Sequence, residues 1–245
     1  MYPALLADSQ QRRNEAAGAL SQLIQEPEAT KTAGTLLQPV TATVRSLPDS
    51  LRAPVYLPRV GSGAEMNEEE TRESLRRFLN QWQKLLGANP AQLSLAQQTA
   101  NGDGTNVAVF EQRAFPYPLR GGFGKIEVRF ANDRRLLSLT STAIPDADKV
   151  QTALSASAPR LKSEDVPTHL SGRKIDYRDA AGAQHSFIIG SVDQIINQQV
   201  VIYPLLSATR TGTLEFHLAW EVTLNNAPVQ TIYYDALQDE IIATA

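Results

Sequence analysis

The sequence predicts an α+β protein made of two successive units, each a helix laid on antiparallel strands, preceded by an N-terminal helix and an extended arm. Three observations predict it. Residues 68–86 carry apolar side chains at helical spacing, residues 126–130 alternate strictly between apolar and charged, and from Lys174 onward short alternating runs follow one another between turn residues. A helix followed by a meander of strands buries the helix stripe on one face of one sheet.

Bulk properties set the limits. With 245 residues, 42% hydrophobic and 20% charged, the chain is long enough for one or two domains with a true core. A net charge of −3 offers no basic face to replace phosphate counterions, so no nucleic-acid partner is expected. No apolar run approaches the roughly 20 residues that span a bilayer, and no membrane insertion is expected. The chain has no cysteine, which excludes disulfides, thiolate catalysis and zinc–thiolate sites. Residues 1–6 lack the basic and long apolar regions of a signal peptide; a cytoplasmic chain and one displayed after loss of a leader both fit.

The first helix is expected over residues 8–26, capped by Asp8 or Ser9, with Ala16, Ala17, Leu20, Leu23 and Ile24 at helical spacing and Pro27 as its stop. Pro39, Pro48, Pro54 and Pro58 then punctuate short apolar pieces, because proline neither donates to a ladder nor continues a helix. Residues 28–66 therefore read as a peripheral arm, ending at a hinge, Gly61-Ser62-Gly63. Asn67 and Glu70 form a capping-box pattern, Glu68 to Glu70 complement the helix dipole, and Leu75, Phe78, Leu79, Trp82, Leu85 and Leu86 make one stripe before Gly87. That stripe reads as core, not as an aromatic ligand box.

Strands are expected over 107–113, 126–130 and 136–140, with a turn at 101–104 before the first and one at 132–133 between the last two. A weaker helix begins at Pro145-Asp146, with Val150, Ala153 and Leu154 inward and Pro159 as its stop. Six further strands are expected over 174–177, 185–189, 200–203, 214–224, 229–235 and 240–244, with turns at Ala181-Gly182 and Asn225-Asn226. The expected boundaries are 1–66 for the N-terminal helix and arm, 67–144 for the first unit and 145–245 for the second.

Residues 109–128, VFEQRAFPYPLRGGFGKIEV, resemble the fungalysin–thermolysin propeptide motif. Gln112, Tyr117, Pro118, Gly121, Gly122, Ile126 and Val128 carry the likeness. The segments LAWEV at 218–222 and YYDALQDEII at 233–242, with Trp220 and Asp235 as their marked positions, are similar to the PepSY-like half that follows it, a cystatin-like unit. The likeness covers roughly residues 67–245. One departure stands in the last turn, where the family has glycine and this chain has Asp239; aspartate tolerates positive φ, so the turn is expected to survive. The resemblance implies a non-catalytic pro-region of a secreted zinc metalloprotease, secreted or periplasmic, which inhibits its protease and assists the folding of that catalytic domain. The zinc-binding His-Glu-x-x-His pattern of such enzymes does not occur here, so no catalytic residue, metal ligand or cofactor is expected.

Other chemistry is weaker. His169, His185 and His217 lie on different elements; Asp176, Asp179 and His185 read as a solvated hairpin and not a metal site, and His217 is expected to face solvent beside Glu215. Asn101 to Asn106 reads as a turn and not a calcium loop, because helices and a closing glutamate are missing. The glycines at 121–124 precede a strand, whereas a phosphate cradle needs a helix N-terminus. Glu111 and Glu127 are placed on neighbouring strands, with nothing to suggest a shared dry cleft. No Gly-x-Ser-x-Gly elbow is present.

Candidate interface residues are Phe115, Tyr117 and Phe123 around the glycine turn, and Glu240, Ile241 and Ile242 on a terminal strand whose edge could pair with a partner. Besides the protease pro-region, the sequence admits a free-standing extracytoplasmic peptide- or protein-binding module on the same fold. It also admits an assembly element using Ala16, Leu20, Leu23 and Ile24 as a helix seam.

Overall fold

A computed structural model describes residues 2–26, 34–62, 66–179, 181–190 and 195–245, and the side chain of Asn197 is outside the description. The fold is α+β, with antiparallel sheets and a few helices. Two apolar cores organise it.

The first core lies under a four-stranded sheet of β2 (Leu93–Ala100), β3 (Thr105–Gln112), β4 (Lys125–Ala131) and β5 (Leu136–Ser141), each strand pairing with the next. Four strands replace the three expected. β2 escapes a periodicity reading because, after Leu95, it runs Ala-Gln-Gln-Thr-Ala along an exposed sheet edge, where nothing demands alternation. Three helices cover this core: α1 (Gln10–Ile24), α2 (Glu68–Gln81) and the short α3 (Gln83–Leu86). Ser9 caps α1, and Asn67 and Glu70 close the expected capping box on α2. The long helix expected to Leu86 is interrupted at Trp82, whose φ of −110° leaves helical geometry, and Gly87 closes α3 in the left-handed region. Gln25, also left-handed, ends α1; Pro27 and Gly63 lie outside the described residues.

Ala16, Leu20, Leu23 and Ile24 are consumed by this core, which leaves no seam for assembly through that face. The arm is structural as well. Leu37, Val44 and Leu57 are buried with the helices, and the carbonyls of Val44 and Val55 accept from the amides of Ser141 and Leu136, covering the edge of β5.

The second core lies under a five-stranded sheet built around the long central strand β9 (Thr213–Leu224). β8 (Ile195–Leu206) runs along one side of β9. On the other side two strands lie end to end: β1 (Ala4–Ala7) against Thr213 to Phe216, and β10 (Thr231–Asp235) against Ala219 to Thr223. β11 (Ile241–Thr244) pairs with β10 and forms the outer edge. Helices α4 (Ala147–Ser155) and α5 (Val166–Leu170) bury Val150, Leu154, Val166 and Leu170 in this core. Helix α4 ends at Ser155, ahead of Pro159, and α5 was not expected from the sequence.

Two further differences are instructive. The sequence marks residues 1–6 only as lacking signal-peptide features; four residues carry no period, and β1 exists because β9 offers it an edge and the core takes Ala4 and Leu6. β6 (Lys174–Arg178) and β7 (Gln184–Ile188) form a separate hairpin instead of joining the large sheet.

Candidate protein-binding face and edge

The helices cover one face of the second sheet. Along β9 the even positions from Leu214 to Leu224 point into that core, so Glu215, His217, Ala219, Glu221 and Thr223 share the opposite face. Register adds Val201 and Tyr203 from β8 and Tyr233 and Asp235 from β10. Tyr203 and Tyr233 meet at 4.2 Å between ring centroids, over the fully buried Val201 and Ala219. Burial, helped by the nearby Glu221 charge, pushes the Tyr233 phenol up to about 12.

The glycine turn of the first unit reaches onto this sheet. Leu119 makes a parallel bridge with Ile202 at the β8 edge, with Arg120 N donating to Ile202 O and Ile202 N to Pro118 O. Arg120 then spans β8 and grips Glu221 with two parallel hydrogen bonds of 2.6 and 2.9 Å. Gln199 and Tyr233 also donate to Glu221. Burial pushes the Glu221 carboxyl up, but these donors outweigh it and hold it below the usual range.

Asp235 closes the other end of the face. It is fully buried, and its two oxygens do different work. Oδ1 accepts from the amides of Leu237 and Gln238, at 2.7 and 2.8 Å, which bends the chain into the turn before β11. Oδ2 accepts from the Tyr2 hydroxyl at 2.8 Å and pairs with His217 Nδ1 at 2.7 Å. Burial raises this carboxyl, and the four donors overcome it and hold it below the ordinary carboxylate range. The Tyr2 phenol is pushed well up, first by burial and then by the Asp235 charge. His217 is only 3% exposed, which corrects the expectation that it faces solvent: the face is uncovered by helices, yet Tyr2 packs edge-on against the imidazole at 5.8 Å. Asp239 has φ of 55°, so the substituted turn keeps its left-handed residue.

β11 leaves one side free of any described strand. Thr231 and Ala245 exchange both backbone hydrogen bonds, and Tyr233 stands opposite Ala243. By antiparallel alternation the amide and carbonyl of Thr244 point to the open side, while a bulge opposite Tyr233 and Tyr234 interrupts the alternation at Ile242. Ile242 packs beside Ala243 on the uncovered face, while Ile241 packs towards the second core and Glu240 is exposed.

The remaining expected positions fall as follows. Phe115 and Phe123 are half-buried against the second core, so they seat the glycine turn, while Tyr117 remains 36% exposed. Gly121 and Gly122 both have positive φ. Trp220 is buried and donates its indole N–H to Leu161 O at 3.2 Å. Gln112 is buried at the junction of the two cores. Sequence reasoning missed Tyr2, Arg120, Tyr203 and Glu221; the odd positions of β9 carried a signal, since a strand with Glu215, His217 and Glu221 on one face and only apolar residues on the other has two distinct faces.

Elsewhere the polar candidates are local. Asp179 accepts from the amides of Ala181 and Ala183 and from His185, tightening the β6–β7 turn, while Asp176 pairs with Lys174. Asp103 accepts from Thr105 in the turn before β3. Glu111 lies on β3, paired with Arg113, and Glu127 on β4 stands opposite Val109. Among the described residues no three His, Cys, Asp or Glu side chains come together to hold a metal ion, and no helix is long and apolar enough to cross a membrane.

No protein-family model and no curated protein matches the chain. Among solved structures it is similar to an uncharacterized protein from Eubacterium rectale ATCC 33656, at 9% identity and a TM-score of 0.33, over 98% of this chain and 84% of that one. A likeness of that size assigns neither a fold nor a function.

Proposed function

We propose that the chain is a non-catalytic, propeptide-like module that inhibits a secreted zinc metalloprotease and assists its folding, by pairing β11 with an extended segment of the catalytic domain. The observation that carries the binding reading is the open side of β11, where Thr244 turns its backbone groups outward beside an uncovered sheet face. The protease reading rests on the motif at residues 109–128 and on the closing segments. The fit between them supports it: the motif's loop, from Pro118 to Arg120, is docked on the sheet that carries β11.

The test is inhibition of a thermolysin-type protease by stoichiometric chain, compared with Thr244→Pro. That substitution removes an outward amide and leaves the inward pairing of Ala243 and Ala245 in place. Slowing by the parent chain and at least tenfold weaker inhibition by the variant are expected. Equal inhibition by both would place the contact elsewhere. Failure to slow any such protease, with retained binding of extended peptides that Thr244→Pro abolishes, would favour the free-standing binding module.

A further inference from the structure

β1 and β10 lie end to end on one side of β9, and the gap between them falls at His217 and Leu218. Tyr2 fills that gap. Its hydroxyl accepts from the Leu218 amide at 2.9 Å and donates to Asp235 Oδ2 at 2.8 Å. The same carboxylate holds the turn at Leu237 and Gln238 through Oδ1, and this turn delivers the chain to β11. The N-terminal strand is itself lightly attached: four residues pair with β9, Ala4 and Leu6 enter the second core, and Asp8 N donates to Gly212 O. Two residues later α1 begins, and it belongs to the first core.

We propose that residues 2–7 are a clasp that orders the β11 edge, acting through Asp235 as a shared anchor. With the clasp docked, Asp235 is fully buried and both its oxygens are fixed, so the turn and β11 are held in one register. A partner that draws residues 2–7 off β9, or cleavage at Asp8–Ser9, admits water to Asp235. Oδ2 then loses its Tyr2 donor, the hydrated carboxylate is free to rotate away from the two turn amides that Oδ1 holds, and β11 loosens. The edge is thus set or released from the opposite end of the chain. Its significance for partner binding rests on the function proposed above; the coupling itself does not.

Tyr2→Phe removes only the hydroxyl and keeps the ring against His217. Hydrogen exchange on the intact chain, followed amide by amide, reads the consequence. Exchange about tenfold faster is expected at Leu237, Gln238 and Ala243 as well as at Leu218, with β3 and β4 unchanged. Acceleration confined to residues 2–8 and Leu218 would overturn the proposal, because β11 would then be indifferent to the clasp. Uniform acceleration through β3 and β4 would also overturn it, since Tyr2 would then serve the whole fold. The exchange pattern is read without any partner, so it is independent of the outcome of the protease assay.

Discussion

The side-chain amide of Gln112 pairs with both backbone groups of Ile144, as another strand would. Nε2 donates to Ile144 O at 3.0 Å, and Oε1 accepts from Ile144 N at 2.9 Å. Gln112 ends β3, the second strand of the first sheet, and Ile144 is fully buried in the second core, so one side chain stitches the two cores together. A glutamine suits the position because it alone among uncharged side chains of that length carries both a donor and an acceptor.

Gln112→Leu keeps the bulk and strands a buried N–H and C=O. A loss of about 2–4 kcal/mol is expected, since buried unpaired groups forfeit their hydration without return. The change in urea midpoint measures it; a midpoint within error of the parent would show that water or a shifted neighbour replaces the amide.

Glu221→Gln should weaken the contact between the glycine turn and the second sheet. Arg120 keeps 31% of its side chain exposed and Glu221 14%, so the pair is screened, and about 1–2 kcal/mol is the expected loss. A double-mutant cycle with Arg120→Ala should return a coupling of about 1 kcal/mol. Additive losses would mean that the two residues act separately.

Glycine substitutions should rank by what a Cβ meets. At Gly122, φ is 78° and a Cβ would meet nothing within 4 Å, so Gly122→Val carries only the conformational cost, on the order of 1–2 kcal/mol. At Gly124, φ is 79° and the Cβ would stand 2.6 Å from Leu119 Cδ1, next to the bridge that docks the turn. Gly124→Val is therefore expected to lower the melting temperature more than Gly122→Val, and the reverse order would contradict the placement of Leu119.

Acid should attack the second unit through Asp235. Its folded carboxyl titrates lower than the unfolded one, so its stabilisation is complete above the ordinary carboxylate range, near pH ~4, and is lost as pH falls through the folded value. Asp235→Asn should remove part of this acid sensitivity while lowering stability at neutral pH. Denaturant midpoints from pH 2 to 7 would show it as a flatter profile; parallel profiles would assign the acid response to other carboxylates.

Much of the architecture is legible in the chain because it is local. The capping box at Asn67 and Glu70, the left-handed Gly87 and the alternation of Ile126, Val128 and Phe130 each follow from neighbours within a few residues, and all appear in the structure. The turn at Asp235 and the positive φ of Asp239 were readable for the same reason. The strand through Ile241 and Ile242 was legible as a strand, but a strand's sequence places its faces and not which edge is left open.

What the sequence alone determined is the class: α+β, two helix-and-strand plans, no cysteine chemistry, and turns where small or left-handed residues stand. Tertiary structure decided the rest. It made a strand of residues 4–7, buried His217 on a face that periodicity assigns to solvent, and joined Tyr2 to Asp235 and Arg120 to Glu221 across 233 and 101 positions. Such contacts leave no period and no local motif. They form because a sheet edge and a buried carboxylate each need partners, and only the folded chain brings those partners within reach.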